Sequence, residues 1–332
     1  MAIKLPKQLR GVADRALLSK LEAGLERVEA GLLKATEHTD AIAEVATRHL
    51  VEAGGKRLRP VLVLLTSQLG NAEDPRITDA AVVVELTHLA TLYHDDVMDD
   101  APTRRGVATA QYIWGNNVAI LTGDLLFARA SQIVSRLGHE ALSLQADTFE
   151  RLCIGQLNET IGPVEGADPR EHYIKVLADK TGSLIAASAQ MGAIYSGAPA
   201  EYLEPLGLFG ERIGVAFQLI DDVIDISVEG PSGKTPGTDL RAGVPTLPVL
   251  LLREREDAES RALLAEIDGD LSDDSKLQTV VARLRKHEVA ELAYLEAKRW
   301  ADEAVAAIAP LPEGSVKSAL TAFAVAVVDR KN

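Results

Sequence analysis

The 332-residue chain has one cysteine, Cys153. That excludes an internal disulfide and fits a reducing cytosol. Between Leu152 and Ile154, Cys153 reads as a small core residue rather than a nucleophile. Basic residues are in deficit: 35 Lys and Arg face 49 Asp and Glu, a net charge of −14. This argues against a nucleic-acid partner, because phosphate backbones select basic surfaces. No apolar run reaches the roughly 18 residues that a transmembrane segment needs. Met1 to Lys7 hold no signal-peptide core. The expectation is a cytoplasmic protein, which an apolar product would bring to a membrane surface. Strand alternation, internal repeats and low-complexity tracts are missing as well. No linker divides the chain, so a single domain over residues 1–332 is expected.

What is present is helical periodicity. Hydrophobic residues make up 47% and charged residues 25%, the proportions of an ordinary globular protein. Leu17, Leu18, Leu21, Leu25, Val28 and Leu32 recur at helical spacing between Asp14 and Thr36. Asp40 is placed to cap a helix reaching Glu52, which Gly54-Gly55 ends. Pro60 leads a helix to Leu69, and Thr78 or Asp79 opens the next. Further helices are predicted over 116–137, 140–161, 173–196 and 201–228. Glu229 to Asp239 is rich in Gly and Pro and cannot be a regular helix. Helical patterns resume from Thr246, with a polar break from Asp268 to Ser275. The fold class expected is all-α: one large helical bundle around a central active-site cavity.

Two acidic clusters sit inside these apolar helices. His94-Asp95-Asp96-Val97-Met98-Asp99-Asp100 follows the run Ala80 to Leu92. Gln218-Leu219-Ile220-Asp221-Asp222-Val223-Ile224-Asp225 repeats the pattern. Asp95 and Asp99 share a helix face, with Asp96 about 100° round. Like charges at that spacing repel. A lone DDxxD reads equally well as a solvated patch, but two copies among hydrophobic residues do not. Hard divalent cations take oxygen ligands, and Mg²⁺ takes one or two carboxylates together with phosphate oxygens and water. The reading is a set of Mg²⁺ ions holding a phosphorylated substrate between two helices.

The basic residues, few overall, gather near the glycines. Lys56, Arg57 and Arg59 lie within four positions; Arg104-Arg105 follow the first cluster; Lys180 precedes Thr181-Gly182; Lys234 lies in the Gly/Pro loop. Singly, each reads as surface solubility. Arginine suits phosphate, since its fork binds two oxygens at once. Several such cations beside Mg²⁺-type carboxylates suggest more than one diphosphate.

Gly54-Gly55-Lys56-Arg57-Leu58-Arg59-Pro60, the helix with His88 and the first aspartate motif, Arg104-Arg105-Gly106, Lys180-Thr181-Gly182 and the Gln218 to Asp225 motif together resemble the trans-isoprenyl diphosphate synthases, the polyprenyl synthetase family. The motifs occur in that family's order and span Leu50 to Pro248. The resemblance implies a prenyltransferase that joins isopentenyl diphosphate head to tail with an allylic diphosphate. It implies up to three Mg²⁺ ions, held by Asp95 and Asp99 and by Asp221 and Asp225. Lys56, Arg59, His88 and Arg105 would bind isopentenyl diphosphate. Arg104, Lys180, Thr181, Gln218 and Lys234 would face the allylic diphosphate. The Thr181 hydroxyl and Gln218 amide would turn their dipoles toward the carbocation. A homodimer is implied too. One departure stands out: Val244 occupies a position where the family often has a lysine.

Product length is expected to depend on the residues upstream of Asp95. Thr91, His88 or Thr87, and Val84 continue its face, with Ala90 beside it. Short-chain members of the family tend to have an aromatic residue four or five positions before the first Asp. Here those positions are Thr91 and Ala90, both small, so a product of C20 or longer is expected. The opposite wall, from Leu125 to Phe127 or at Ile133, would have to leave the tube open. Two rival readings remain. A terpene cyclase shares the fold but carries a different second metal motif. A subunit of a heteromeric prenyl synthase would be expected to have lost aspartates or cations, and this chain keeps them.

Overall fold

The computed structural model describes residues 14–227 and 236–329. In chain order the α-helices are α1 (Arg15–Ala35), α2 (Ala41–Glu52), α3 (Leu58–Thr66), α4 (Arg76–Met98), α5 (Ala110–Trp114), α6 (Asn116–Leu137), α7 (His139–Ile161), α8 (Pro169–Leu177), α9 (Ser183–Ser196), α10 (Leu203–Asp225), α11 (Thr238–Arg241), α12 (Leu247–Arg253), α13 (Ala258–Ile267), α14 (Asp274–Lys286), α15 (Glu288–Ala307) and α16 (Ser315–Val328). Two compact units divide them. The first takes the chain up to Glu150 with Leu184–Gly210 and Ile308–Ala322; the second takes Arg151–Ser183, Glu211–Ala307 and the chain from Phe323.

The first unit is organised around α4. Ile77, Ala80 to Leu86, Leu89, Ala90 and Tyr93 are buried, covering its whole circumference. A helix apolar all round must be enclosed, and α1, α3 and above all α6 pack along it. α1 supplies the stripe Leu17, Leu21, Leu25, Val28 and Leu32, all buried, each contributing roughly 1.5–3 kcal/mol of apolar burial. The Asp14 and Asp40 carboxylates accept from Leu17 N at 2.8 Å and Ala43 N at 2.9 Å, fixing the starts of α1 and α2. Thr103–Arg104 and Val107–Ala108 form an antiparallel hairpin. Strands of two residues have no alternation for the sequence to display. Arg105 and Gly106 turn it with φ of 54° and 81°, the left-handed pair of a type I′ turn.

In the second unit α12 packs on α8, α13 and α15. Asp168 caps α8 through Arg170 N at 2.8 Å, with Pro169 in the first turn. The helix expected over 173–196 therefore starts earlier than its periodicity suggests. It is also interrupted: Ala178–Gly182 is a π-turn between α8 and α9. Cys153 corrects the core expectation, for it is exposed on α7. The buried stripe of α7 runs through Ala141, Gln145, Thr148 and Leu152, and Cys153 lies about 100° off it. The apolar residues of α7 extend onto its open face, so Leu152 and Ile154 do not mark Cys153 as internal.

Candidate active site

α4 ends in aspartates. Asp95 and Asp96 occupy its last turn, Asp99 is the C-cap, and no basic residue shares that turn. Carboxylates at such a terminus repel one another and are disfavoured by the negative end of the helix dipole. Asp95 is half-buried and Asp99 exposed. Asp96 is buried, and its Oδ1 accepts from Arg104 Nε at 2.7 Å. Its Oδ2 is enclosed without a hydrogen-bond partner. Burial pushes the Asp96 carboxyl up, against the pull of Arg104. Arg104, expected at the allylic diphosphate, thus pairs with the motif itself.

Seven residues before Asp95, His88 is half-buried. Burial, then the nearby Arg59, Arg105, Arg104 and Arg57, hold its imidazole well below the ordinary range. Arg59, His88 and Arg105, three of the four residues expected at isopentenyl diphosphate, are therefore brought together. The fourth, Lys56, is exposed just before α3. Arg59 Nε is buried with no partner, and burial brings this guanidinium down to about 10. An unpaired, buried cationic donor is costly, and an anion would satisfy it. Arg105 donates to the carbonyls of Leu50, at 3.0 Å, and Gly54. A Cβ on Gly55 would lie 2.9 Å from Arg105 Cζ, so the second glycine of the motif makes room for this guanidinium.

Arg57 belongs to the framework instead. Its side chain is fully buried, with Nε 2.5 Å from Glu29 Oε1 and Nη1 2.8 Å from Glu85 Oε1. Glu85 also lies 3.8 Å from Arg105. Sequence reasoning missed Glu29 and Glu85. The available signal was Glu85 itself, the one charged residue in the apolar stretch from Ala80 to Tyr93.

α10 in the second unit repeats the acidic ending. Gln218, Asp221 and Asp225 are spaced by three and four, and the last turn again holds no basic residue. Asp221 and Asp225 are half-buried. Asp225 accepts from Thr238 N and Asp239 N, each at 3.2 Å, at the start of α11. Asp222 is buried, and its Oδ2 accepts from Tyr173 Oη at 2.7 Å and Leu247 N at 3.0 Å. Burial pushes Asp222 up to about 7, against the pull of those two donors.

The π-turn carries Lys180 and Thr181, a local geometry frequent at functional sites. A Cβ on Gly214 of α10 would lie 2.4 Å from Gly182 Cα, so the two backbones touch one turn before Gln218. The missing side chain at Gly214 is what makes that approach possible. Thr181 and Gln218 are half-buried. Lys180 is paired with Glu159 of α7, another residue the sequence reading missed. Lys234 lies outside the described residues. Val244 is 40% exposed in the turn after α11, and Arg241 is engaged by Asp274.

Of the chain-length positions, Thr91 is half-buried and its hydroxyl donates to His88 O at 2.8 Å. Ala90 has no exposure. Its carbonyl lies 3.2 Å from where a Gly123 Cβ would stand, because α6 passes close to α4. His94 joins the same packing through Ile120 O at 3.0 Å, a structural use. Gln145 of α7 donates to Thr87 Oγ1 at 2.7 Å.

Among the described residues no three His, Cys, Asp or Glu side chains close a ready metal cage. Mg²⁺ does not need one, since it completes its shell with phosphate oxygens and water. Asp95 with Asp99, and Asp221 with Asp225, offer all-oxygen pairs of the right kind. The unpartnered Asp96 Oδ2 leaves an acceptor unmet beside the first pair.

The chain is similar to known proteins over nearly its whole length. The nonaprenyl diphosphate synthase of Mycobacterium tuberculosis is 42% identical over 321 residues, 96% of each chain. Component 2 of the heptaprenyl diphosphate synthase of Geobacillus stearothermophilus is 35% identical, over 95% of this chain and 98% of that one. The geranylgeranyl pyrophosphate synthase of Corynebacterium glutamicum, solved with calcium and isoprenyl diphosphate, has a TM-score of 0.86 at 40% identity, covering 96% of this chain and 98% of that one. The polyprenyl synthetase family model matches residues 40–284, which hold both aspartate motifs and every cation discussed above. With that match, the chain belongs to the polyprenyl synthetase family and is a prenyltransferase.

Proposed function

We propose that the enzyme condenses isopentenyl diphosphate head to tail with an allylic diphosphate, giving an all-trans polyprenyl diphosphate of C20 or longer. The observation that carries this reading is the pair of helices, α4 and α10, each ending in aspartates with no basic residue in the final turn. Such ends are stabilised by cations. Mg²⁺ bound at Asp95 and Asp99 and at Asp221 and Asp225, up to three ions in all, would neutralise the diphosphate that departs as the allylic C–O bond breaks. Lys180, released from Glu159, and Lys234 add positive charge to the same leaving group, as does Arg104. The Thr181 hydroxyl and Gln218 amide oxygen direct their negative ends at the developing carbocation. Arg59, Arg105, Lys56 and His88 orient isopentenyl diphosphate, whose double bond attacks the cation; the proton then lost from the new cation passes to the released diphosphate. No His-Asp general base takes part. In this reading the chain acts as one catalytic domain in the cytoplasm.

Exposed Ile120, Leu121 and Leu125 on α6 and Leu142 and Phe149 on α7 favour a homodimer. The name of the Geobacillus relative, component 2 of its synthase, favours a second reading in which this chain works with another polypeptide. One experiment tests both. Purified protein with Mg²⁺ and isopentenyl diphosphate is given dimethylallyl, geranyl, farnesyl or geranylgeranyl diphosphate, and product lengths are read by mass spectrometry. Elongation to C20 or beyond by the chain alone is expected. Termination at C15 would overturn the length, and no elongation from any primer by folded protein would overturn autonomous prenyl transfer.

A further inference from the structure

In both motifs the middle aspartate differs from its neighbours. Asp96 and Asp222 are 2% and 6% exposed, and both carry hydrogen bonds from outside their own helix. Asp222 has two such donors on one oxygen: the Tyr173 hydroxyl of α8, and the N–H of Leu247, the first residue of α12. That N–H has no partner within its helix, and the positive end of the helix dipole favours a carboxylate there. Asp222 therefore fastens the end of α10 to two other elements of the second unit.

This fastening sets the rotation of α10. Successive residues step by about 100°, so with Asp222 turned inward, Asp221 lies about 100° back, Asp225 about 60° back and Gln218 about 40° back. One anchored residue thus groups the other three on a single side. Tyr173 also stands seven residues, about two turns, before Lys180. Its hydroxyl joins the helix leading into the Lys180-Thr181 turn to the helix carrying the motif.

We propose that Tyr173 is a positioning residue for the second aspartate motif, acting through Asp222 to aim Asp221, Asp225 and Gln218. The proposal rests on the assignment of Asp221 and Asp225 to Mg²⁺ and diphosphate. Without the hydroxyl, buried Asp222 keeps one of its two donors. A poorly satisfied buried carboxylate turns toward water, and that change frees α10 to rotate.

The test is a double-mutant cycle with Tyr173→Phe, Asp222→Asn and the double variant. Phenylalanine keeps the ring and its packing. The first readout needs no turnover: the Mg²⁺ concentration that half-saturates the thermal shift given by Mg²⁺ with inorganic pyrophosphate. Tyr173→Phe is expected to raise it about tenfold, the scale of one hydrogen bond to a charged group. In the Asp222→Asn background the same change should add little. The second readout is kinetic: kcat/KM for the allylic diphosphate falls, while KM for isopentenyl diphosphate holds. A Tyr173→Phe protein that loses melting temperature but keeps the parental Mg²⁺ curve has a merely structural tyrosine, and the proposal falls. Full additivity of the two changes overturns it as well. A parent that binds Mg²⁺ and pyrophosphate but forms no prenyl product sinks the proposed function alone, because the binding cycle still decides the role of Tyr173.

Discussion

His88 shows how one residue reports on its surroundings. Burial and the guanidinium groups of Arg59, Arg105, Arg104 and Arg57 hold its folded-state pKa well below the ordinary value, while the unfolded chain protonates it near 6.5. The folded state therefore refuses a proton that the unfolded state accepts. Stability linked to His88 is intact above about pH 6.5 and falls as the pH drops below it toward the folded pKa, by up to about 1.4 kcal/mol per pH unit. Urea unfolding at pH 7.5 and pH 5.5 checks this. His88→Asn should lose less stability than the parent between those two conditions, and equal losses would place His88 outside the cationic pocket. Bound diphosphate should raise the imidazole pKa, visible as a ring-proton titration by NMR. Arg57 and Arg59 mark what the sequence could not separate. They are two positions apart and alike in type. What distinguishes them is Glu29 and Glu85, each 28 residues from Arg57, which claim Arg57 and leave the Arg59 Nε unpaired. Local sequence cannot show which cation a distant carboxylate will take.

At the scale of elements, the cap at Asp168 is passed over for a later helix start, but the starts at Asp14 and Asp40 were legible, because side-chain capping is local chemistry. The π-turn was not. One extra residue in a turn shifts the apolar pattern too little to be seen among the alanines that follow, and the close backbone approach beside it, Gly182 to Gly214, involves another helix. The acidic ends of α4 and α10 were fully legible as composition. Their division into accessible outer aspartates and an anchored middle one depends on Arg104, Tyr173 and Leu247, and so on tertiary packing. Packing also separates the two chain-length positions. Ala90 is completely enclosed, so Ala90→Phe should cost about 1–3 kcal/mol by overpacking, whatever it does to the product. Thr91 retains exposure and bonds only within α4, so Thr91→Phe is the cleaner probe. A shorter product by mass spectrometry, with melting temperature held near the parent, is expected. An unchanged product ladder would move the chain-length wall away from this face of α4.

For the whole molecule, the open question at the surface is the apolar face of α6. Ile120, Leu121 and Leu125 are 40%, 60% and 36% exposed, and Phe149, itself 38% exposed, packs at a tilt against Phe127 with centroids 4.5 Å apart. α6 is also the one described helix long and apolar enough to cross a membrane. Its other face, through Ala119, Leu126, Ala130 and Val134, is buried in the first unit, and Asp124 lies 3.4 Å from His94 of α4. Those contacts fasten α6 as a core helix whose outer face needs cover, as a contiguous exposed apolar patch usually does. A second copy of the chain would present the same face, which is how a twofold interface is built. The parent should therefore run as a dimer in size-exclusion chromatography with light scattering. Leu121→Glu, which puts a charge at the most exposed position of that stripe, should shift it to monomer by at least about tenfold in dissociation constant, since each 1.4 kcal/mol is one decade. A monomeric parent that becomes active only after a second polypeptide is added would give the face to that partner instead. A dimer indifferent to Leu121→Glu would place the interface elsewhere and leave α6 open to the membrane surface, where vesicle co-sedimentation of the parent against Leu121→Glu would detect it.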